Sequence, residues 1–312
     1  MITAYAPEAL RTSLGFLSCA ATIGNFDGVH LGHQALLRRT VEAARKRGLP
    51  AVAVTFDPHP SAVLSSRPSK GLCTTAQRLE YLEELGLDAA LVLPFDRALA
   101  AEPAAGFCRR VLAEALRVRE LFIGYDFRMG CDQAGAEAIR IGSGGQFSVT
   151  QVEAVHQDGG PVSSTRIREA LEQDDLALAN RLLGRPFAVR GIVVHGQGRG
   201  GPLLGIPTAN LDVPVSMAMP VPAVYATSAR LWTESGAEPW RMSVTSFGSN
   251  PTFGGAFLTL ETHIMDCSAD LYGRELEVRF LAEQRRERRF DGLEALIAQL
   301  RADMEQRRTL PV

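Results

Sequence analysis

The sequence predicts an α/β domain built on a doubly wound parallel sheet, followed by a small antiparallel β-barrel that closes with one C-terminal helix. Three observations predict it. Through the first half, continuous apolar, β-branched runs alternate with segments of helical period, the pattern of repeated β-α units. Gly184-Arg185-Pro186-Phe187 then punctuates the chain. Beyond it, short strand-like runs follow one another with turn residues between them, and no helical period returns until residues 291–308. The expected domains are therefore 1–184 and 185–312.

In order, residues 19–23 read as a buried strand and 34–45 as a helix, with apolar positions at 36, 37, 41 and 44. The run 51–60 reads as a central strand closed by a double proline. Helices are expected at 77–85 and 103–117, with strands at 89–95 and 120–124 between and after them. A helix runs from the hydroxyl-rich stretch at 163–165 through Leu171, and another over 176–183. The barrel strands are expected from Phe187 and at 223–231, 240–247, 258–266 and 275–281.

Composition narrows the function classes. At 312 residues, with 46 % hydrophobic and 22 % charged residues, the chain suits two globular domains, each with its own core. A net charge of −2 argues against a dedicated nucleic-acid binder. Nearly all basic charge is arginine, the lysines being Lys46 and Lys70. Five widely spaced cysteines without a Cys-x-x-Cys pair suggest reduced thiols and neither a disulfide framework nor a zinc site. The first residues lack a basic region followed by an apolar core, and no run approaches the ~20 apolar residues of a membrane span, so a cytoplasmic protein is expected.

The first chemical motif is Thr22-Ile23-Gly24-Asn25-Phe26-Asp27-Gly28-Val29-His30-Leu31-Gly32-His33. Strand, glycine-punctuated loop and helix start together make an anion site, because backbone N–H groups and the helix dipole converge there. His30 and His33 can add N–H donors to a phosphate. A Walker A loop is excluded, since the lysines precede Arg47 and Gly71, and the Gly-x-Gly-x-x-Gly spacing is absent from this loop.

The string from Gly24 to His33 resembles the signature of His-x-Gly-His nucleotidyltransferases, and most closely the prokaryotic bifunctional riboflavin kinase/FAD synthetase family. The resemblance implies that Gly24, Asn25, Phe26, Asp27 and Gly28 bind ATP phosphates and that His30 and His33 are catalytic. Gly124-Tyr125-Asp126-Phe127-Arg128-Met129-Gly130 resembles a second motif of the family, with Met129 in place of an aromatic residue. It implies flavin contact at Asp126, which without the resemblance would be a turn former. Flavin contact is likewise implied for His59, whose structural reading stays open, and for Arg285. Ser163-Ser164-Thr165-Arg166-Ile167-Arg168 matches a third motif. Its residues Ser164, Thr165 and Arg166 are implied to hold the triphosphate, the alternative being an N-cap.

In the second half the glycine-rich stretch Gly196, Gly198, Gly200, Gly205 and Pro207 leads into Thr208-Ala209-Asn210, and the whole reads as a loop. Pro-Thr-Ala-Asn resembles the riboflavin kinase signature, which implies that the loop binds ATP phosphates and that Thr208 and Asn210 hold magnesium. Further similarities are at 249–253, 260–264, 270–273 and 285–290. Glu261 alternates with its neighbours on a strand whose inward face the sequence does not decide; the resemblance implies that it is the general base. Ala223 and Ser246 depart from the family pattern, where Gly and Asn are usual. The reading that follows is a bifunctional enzyme using Mg²⁺ and ATP to make FMN from riboflavin and FAD from FMN, acting as a monomer or weak homo-oligomer without nucleic acid or membrane. Its rivals are a nucleotidyltransferase with an impaired kinase half and a non-catalytic flavin-binding sensor.

Overall fold

The computed structural model describes residues 1–15, 17–195, 207–233, 236–248, 258–267 and 269–311. They form two compact units, Met1–Ser164 and Thr165–Val312.

The first unit runs β1 (Ile2–Ala4), α1 (Pro7–Leu14), β2 (Cys19–Ile23), α2 (Leu31–Arg47), β3 (Ala51–Asp57), α3 (Pro60–Leu64), α4 (Thr75–Glu84), β4 (Ala89–Pro94), α5 (Arg97–Ala101) and α6 (Ala104–Phe107). A π-helical segment, Cys108–Ala115, continues α6, and β5 (Val118–Gly124), α7 (Ala136–Gly142) and β6 (Ser148–Val152) follow. The six strands lie in the order β1-β4-β3-β2-β5-β6, and every pairing is parallel. Because successive side chains of a strand point to opposite faces, Cys19, Ala21 and Ile23 join one core with Leu10, Phe107 and Leu112. Ala20 joins the other core with Leu36, Leu37 and Leu82. The chain winds from β2 through β3 to β4, then returns to β5 on the other side of β2. Ligands of such sheets bind at this reversal, outside the carboxyl ends of the strands. The loops after β2 and β5 are the two motif loops.

A short hairpin, β7 (His156–Gln157) with β8 (Gly160–Pro161), leads to α8 (Ser164–Glu172), whose first residue closes the first unit. In the second unit α9 (Leu176–Leu183) precedes β9 (Phe187–Val194), β10 (Ala209–Asp212), β11 (Ala223–Thr233), β12 (Gly236–Ala237), β13 (Arg241–Gly248), β14 (Thr259–Ile264), β15 (Glu275–Arg285) and α10 (Leu293–Arg308). The order β11-β13-β14-β10-β9-β15 closes on itself through β15–β11, a six-stranded antiparallel barrel. Tyr225, Phe280 and Phe187 fill its interior, Tyr225 meeting Phe280 edge-on at 5.2 Å. Thr227, Ser243, Thr245 and Thr262, also inside, satisfy one another through hydroxyl hydrogen bonds of 2.7–2.9 Å. Outside, α10 packs on β11 and β13, and Arg307 reaches the Thr227 carbonyl (2.6 Å) and the Ser228 hydroxyl (2.9 Å).

The compact units divide twenty residues before the expected boundary at 184. Part of that offset is α9, which packs on β9 and β15. Its Leu176, Ala179, Leu182 and Leu183 are buried, and the burial of each Leu contributes about 1.5–3 kcal/mol. Asn180 joins it to the barrel, donating to the Phe280 carbonyl (2.9 Å) and accepting from Phe187 N–H (2.7 Å).

One further feature of the barrel's outer surface is an arginine–tryptophan stack. Glu277, 1 % exposed, accepts from Arg230 (2.7 Å) and the Trp232 indole (3.2 Å) and lies 3.3 Å from Arg190. The Arg190 and Arg230 guanidinium groups lie over the Trp232 ring at 4.0 and 5.2 Å, and those of Arg230 and Arg279 over the Trp240 ring at 4.3 and 4.1 Å.

Candidate functional site

The loop after β2 is irregular and tightly held. Phe26 (φ 48°), Gly28 (φ 75°) and Val29 (φ 38°) all sit at positive φ. For the β-branched Val29 this is a strained conformation costing on the order of 1–3 kcal/mol, and such strain concentrates at functional sites. Neighbouring segments keep it in place. Leu72 N–H donates to Asp27 Oδ1 (2.8 Å), Gly28 N–H to Cys73 Sγ (3.2 Å), and the Gln34 amide to the Val29 carbonyl (3.0 Å). The Ser164 hydroxyl donates to the Asp27 carbonyl (2.9 Å), so its proton goes to this loop. Gly24 N–H bonds the Val54 carbonyl at 3.1 Å. The amides of Gly24 and Gly28, expected at a phosphate, are thus engaged by the protein. Asp27 is buried, one carboxylate oxygen bound to the backbone.

His30 caps α2. His33 N–H donates to His30 Nδ1 (3.2 Å), which fixes that nitrogen as an acceptor and places the proton of the neutral ring on Nε2. The two imidazoles stack at 3.7 Å with 16° between their planes, and the Phe26 ring meets His33 edge-on at 5.4 Å. Gly32 keeps room for this stack: a Cβ there would stand 3.1 Å from the His30 ring and 3.4 Å from the Val162 carbonyl, so the ring would have to shift. The result is two imidazoles preset at the positive end of a 17-residue helix, an arrangement suited to an anion.

The other expected residues of this half fall into place unevenly. Asp126 is exposed in the turn after β5, at the same end of the sheet as the His30 loop. Met129, in place of the aromatic residue, is buried in the core beside Ala104 and Phe107. His59, after β3, accepts from Ser61 N–H (3.2 Å) as the cap of α3. Thr165 is exposed and Arg166 half-buried in the first turn of α8. A cavity of about 620 Å³, lined by Arg47, Leu49, Arg119, Glu120 and residues 145–148, sits at the amino ends of β5 and β6, the opposite end from the motif loops.

In the barrel, Asn210 belongs to strand β10, not to the loop expected at 196–210; it pairs with Val194 of β9 and Glu261 of β14. Register settles what alternation could not. Leu260, Thr262 and Ile264 face inward, so Glu261 stands on the outer face with Asn210 on one side and Ser246 on the other. Ser246 donates to Glu287 (3.4 Å), whose carboxylate lies over Gly248, where any Cβ would collide at 2.1 Å. His263 Nδ1 donates to the Pro207 carbonyl (2.8 Å), fixing the chain just before Thr208, which is half-buried. Arg285 ends β15, four residues beyond the expected strand, and is paired with Asp303 of α10 at 2.8 Å. Gly196, Gly198, Gly200, Gly205 and the 249–253 similarity lie outside the described residues.

Sequence reasoning missed the pins: Gln34, the Leu72–Cys73 segment and Arg78, which donates to the Asn25 carbonyl at 2.8 Å. All are ordinary residues in helices or connecting segments. The outer-face carboxylate Glu287 was legible only as part of the 285–290 similarity.

Comparison with known proteins decides what these sites belong to. The FAD synthetase family model matches residues 16–166 and the riboflavin kinase family model residues 183–310. The chain is 39 % identical over 288 residues to the bifunctional riboflavin kinase/FMN adenylyltransferase of Escherichia coli (strain K12), covering 91 % of this chain and 90 % of that protein. The chain belongs to the bifunctional riboflavin kinase/FMN adenylyltransferase family. Its activities are riboflavin kinase and FMN adenylyltransferase, or FAD synthetase. The family member of Pseudomonas fluorescens is 39 % identical over 295 residues (94 % and 93 % of the two chains), and that of Bacillus subtilis (strain 168) 32 % over 290 (91 % and 90 %). Outside those names, a crystal structure described as the macrolide-efflux protein from Streptococcus pneumoniae matches with a TM-score of 0.84 and 31 % identity over 100 % of both chains. Among the described residues no helix is long and apolar enough to cross a membrane.

Proposed function

We propose that the two reactions run at separate sites, with residues 1–184 the FMN adenylyltransferase domain and 185–312 the riboflavin kinase domain. The observation that carries the kinase assignment is the register that sets Asn210 directly opposite Glu261 on the outer face of the barrel. Directly paired residues of antiparallel strands hold their Cβ atoms about 4.5–5.5 Å apart, so a metal ligand and a base stand side by side. Glu261 takes the proton of the riboflavin 5′-hydroxyl as that oxygen attacks the γ-phosphorus of ATP, and ADP leaves. Thr208 and Asn210 offer hard oxygen donors, which suits Mg²⁺, an ion commonly held by one or two protein oxygens together with substrate phosphates. When bound it neutralises charge on those phosphates. Gly196, Gly198, Gly200, Gly205 and Pro207 are assigned to the ATP phosphates from their motif, and Arg285 contributes to the flavin site.

In the first half, an FMN phosphate oxygen attacks the α-phosphorus of a second ATP and pyrophosphate leaves, giving FAD. Magnesium accompanies the nucleotide here too. His30 Nε2–H and His33 stabilise charge on the triphosphate and the departing pyrophosphate. The strained loop 24–28 shapes the nucleotide site, and Ser164 is tied to it; Thr165 and Arg166 are assigned from their motif. His59 and Asp126, both at carboxyl ends of strands, contact flavin. The protein acts in the cytoplasm on small molecules, as a monomer or weak homo-oligomer without nucleic acid or membrane. Light scattering on the eluting protein tests the assembly state.

The deciding experiment uses a 165–312 fragment, which keeps α9 and its buried leucines. It is expected to convert riboflavin to FMN with Mg-ATP and to make no FAD. A cooperatively melting fragment that binds riboflavin and ATP yet forms no FMN would favour the impaired-kinase reading, for which the Ser246 departure is the specific motive.

A further inference from the structure

Arg78, on α4, is 5 % exposed, yet it forms no ion pair among the described residues. Its guanidinium donates to neutral oxygens only. Nη1 reaches the Asn25 carbonyl (2.8 Å), the Thr55 hydroxyl (2.9 Å) and the Phe56 carbonyl (3.0 Å), and Nη2 the Thr75 hydroxyl (2.9 Å). Nε is buried with no hydrogen-bond partner among the described residues. A buried cation ordinarily carries a paired carboxylate, because desolvating a lone charge is costly. Here the unneutralised charge stands directly behind the first residues of the nucleotide loop. Thr55 also donates to the Asn25 carbonyl (3.3 Å), so that one oxygen is held twice. A trans peptide directs its N–H opposite to its C=O. With the Asn25 carbonyl drawn towards α4, the Phe26 N–H is turned away from it.

We propose that Arg78 is a positioning residue for adenylyl transfer: it fixes the Asn25–Phe26 peptide and supplies the buried positive charge that the ATP phosphates offset when they bind. Among the described residues no carboxylate pairs with the charge, because its counterion is the substrate. Arg78 need not touch ATP for this. It acts through the loop and through the field behind it.

The test uses the full-length protein carrying Arg78→Gln or Arg78→Lys, with riboflavin phosphorylation in the same preparations as an internal control. Arg78→Gln is expected to raise the KM for ATP in FAD formation by about tenfold or more and to lower kcat/KM by ~10²-fold, the cost of a misplaced reacting geometry. The KM for FMN should stay within about twofold, and Arg78→Lys, which restores charge without the fork, should recover roughly tenfold of the loss. A merely loosened domain behaves differently: fewer active molecules lower kcat and leave both KM values as they were. Arg78→Gln that melts cooperatively with a parental KM for ATP overturns the proposal. If Arg78→Gln does not fold, Arg78→Lys is read alone, a raised KM for ATP supporting the proposal and a parental one overturning it.

Discussion

At residues 24–30 the backbone leaves regular structure, turns through positive φ at Phe26, Gly28 and Val29, and is held by side chains from Gln34, Cys73, Arg78 and Ser164. Around Asn210, Ser246 and Glu261 the opposite holds: three adjacent strands in plain antiparallel register put these three side chains in a row, with no strained residue among them. A site built on irregular backbone depends on remote pins, each worth a modest amount. A site built on strand register depends on the chemistry of the side chains themselves, because their placement is shared with the whole barrel. The first should therefore degrade by degrees when its supports are removed, and the second should fail at single residues.

The sharpest test of the register-built site is Glu261→Gln. Loss of a positioned base is expected to lower riboflavin phosphorylation by ~10²–10⁴-fold while supplied FMN is still converted to FAD. Kinase turnover within about a factor of two of the parent, far below that range, would remove Glu261 from the role. In the loop site, His30→Ala or His33→Ala should suppress FAD formation by ~10²–10³-fold, so that FMN accumulates from riboflavin and ATP. Equal loss of both activities in a folded variant would contradict separate sites. Stability offers a third measurement. Glu277→Gln leaves Arg190 and Arg230 without their shared carboxylate, and calorimetry should register a loss of about 3–5 kcal/mol in the barrel. A transition unmoved from the parent's would mean that the charges are already compensated elsewhere. The smallest effect is expected from Ser164→Ala, which removes a single pin on the Asp27 carbonyl. A net hydrogen bond is worth ~0.5–1.5 kcal/mol, so FAD formation should fall by up to roughly tenfold with the kinase untouched. A loss as large as that of His30→Ala would place Ser164 on the nucleotide itself and blur the contrast between pin and catalyst.

The same contrast explains what could be read from the sequence. The parallel sheet and the barrel were legible because buried strands such as 19–23 and 89–94 are continuous apolar runs, and the change of period after Gly184 is abrupt. The three-residue β1 and the partly polar edge strand β6 went unread, since neither carries a long apolar run. Strand β10 was hidden by the glycines and proline that precede it. His30, His33, Asn210 and Glu261 stood out through motif strings. Arg78 and Gln34 did not, because helical arginines and glutamines are normally solvated, and only the folded chain brings them beneath the loop. Which way Glu261 faces was a question of register, and period-two alternation is blind to it.

The arginine–tryptophan stack on the barrel has a practical consequence. Trp232 and Trp240 are the two tryptophans of the chain, and both lie in the second unit. Indole emission excited beyond the tyrosine band therefore originates wholly in the barrel, whereas far-UV ellipticity sums both units. Two transitions that would merge in one calorimetric envelope are separable spectroscopically in the intact chain. The Arg190, Arg230 and Arg279 guanidinium groups pressed against the two rings make that emission a reporter of whether the stack itself is still assembled.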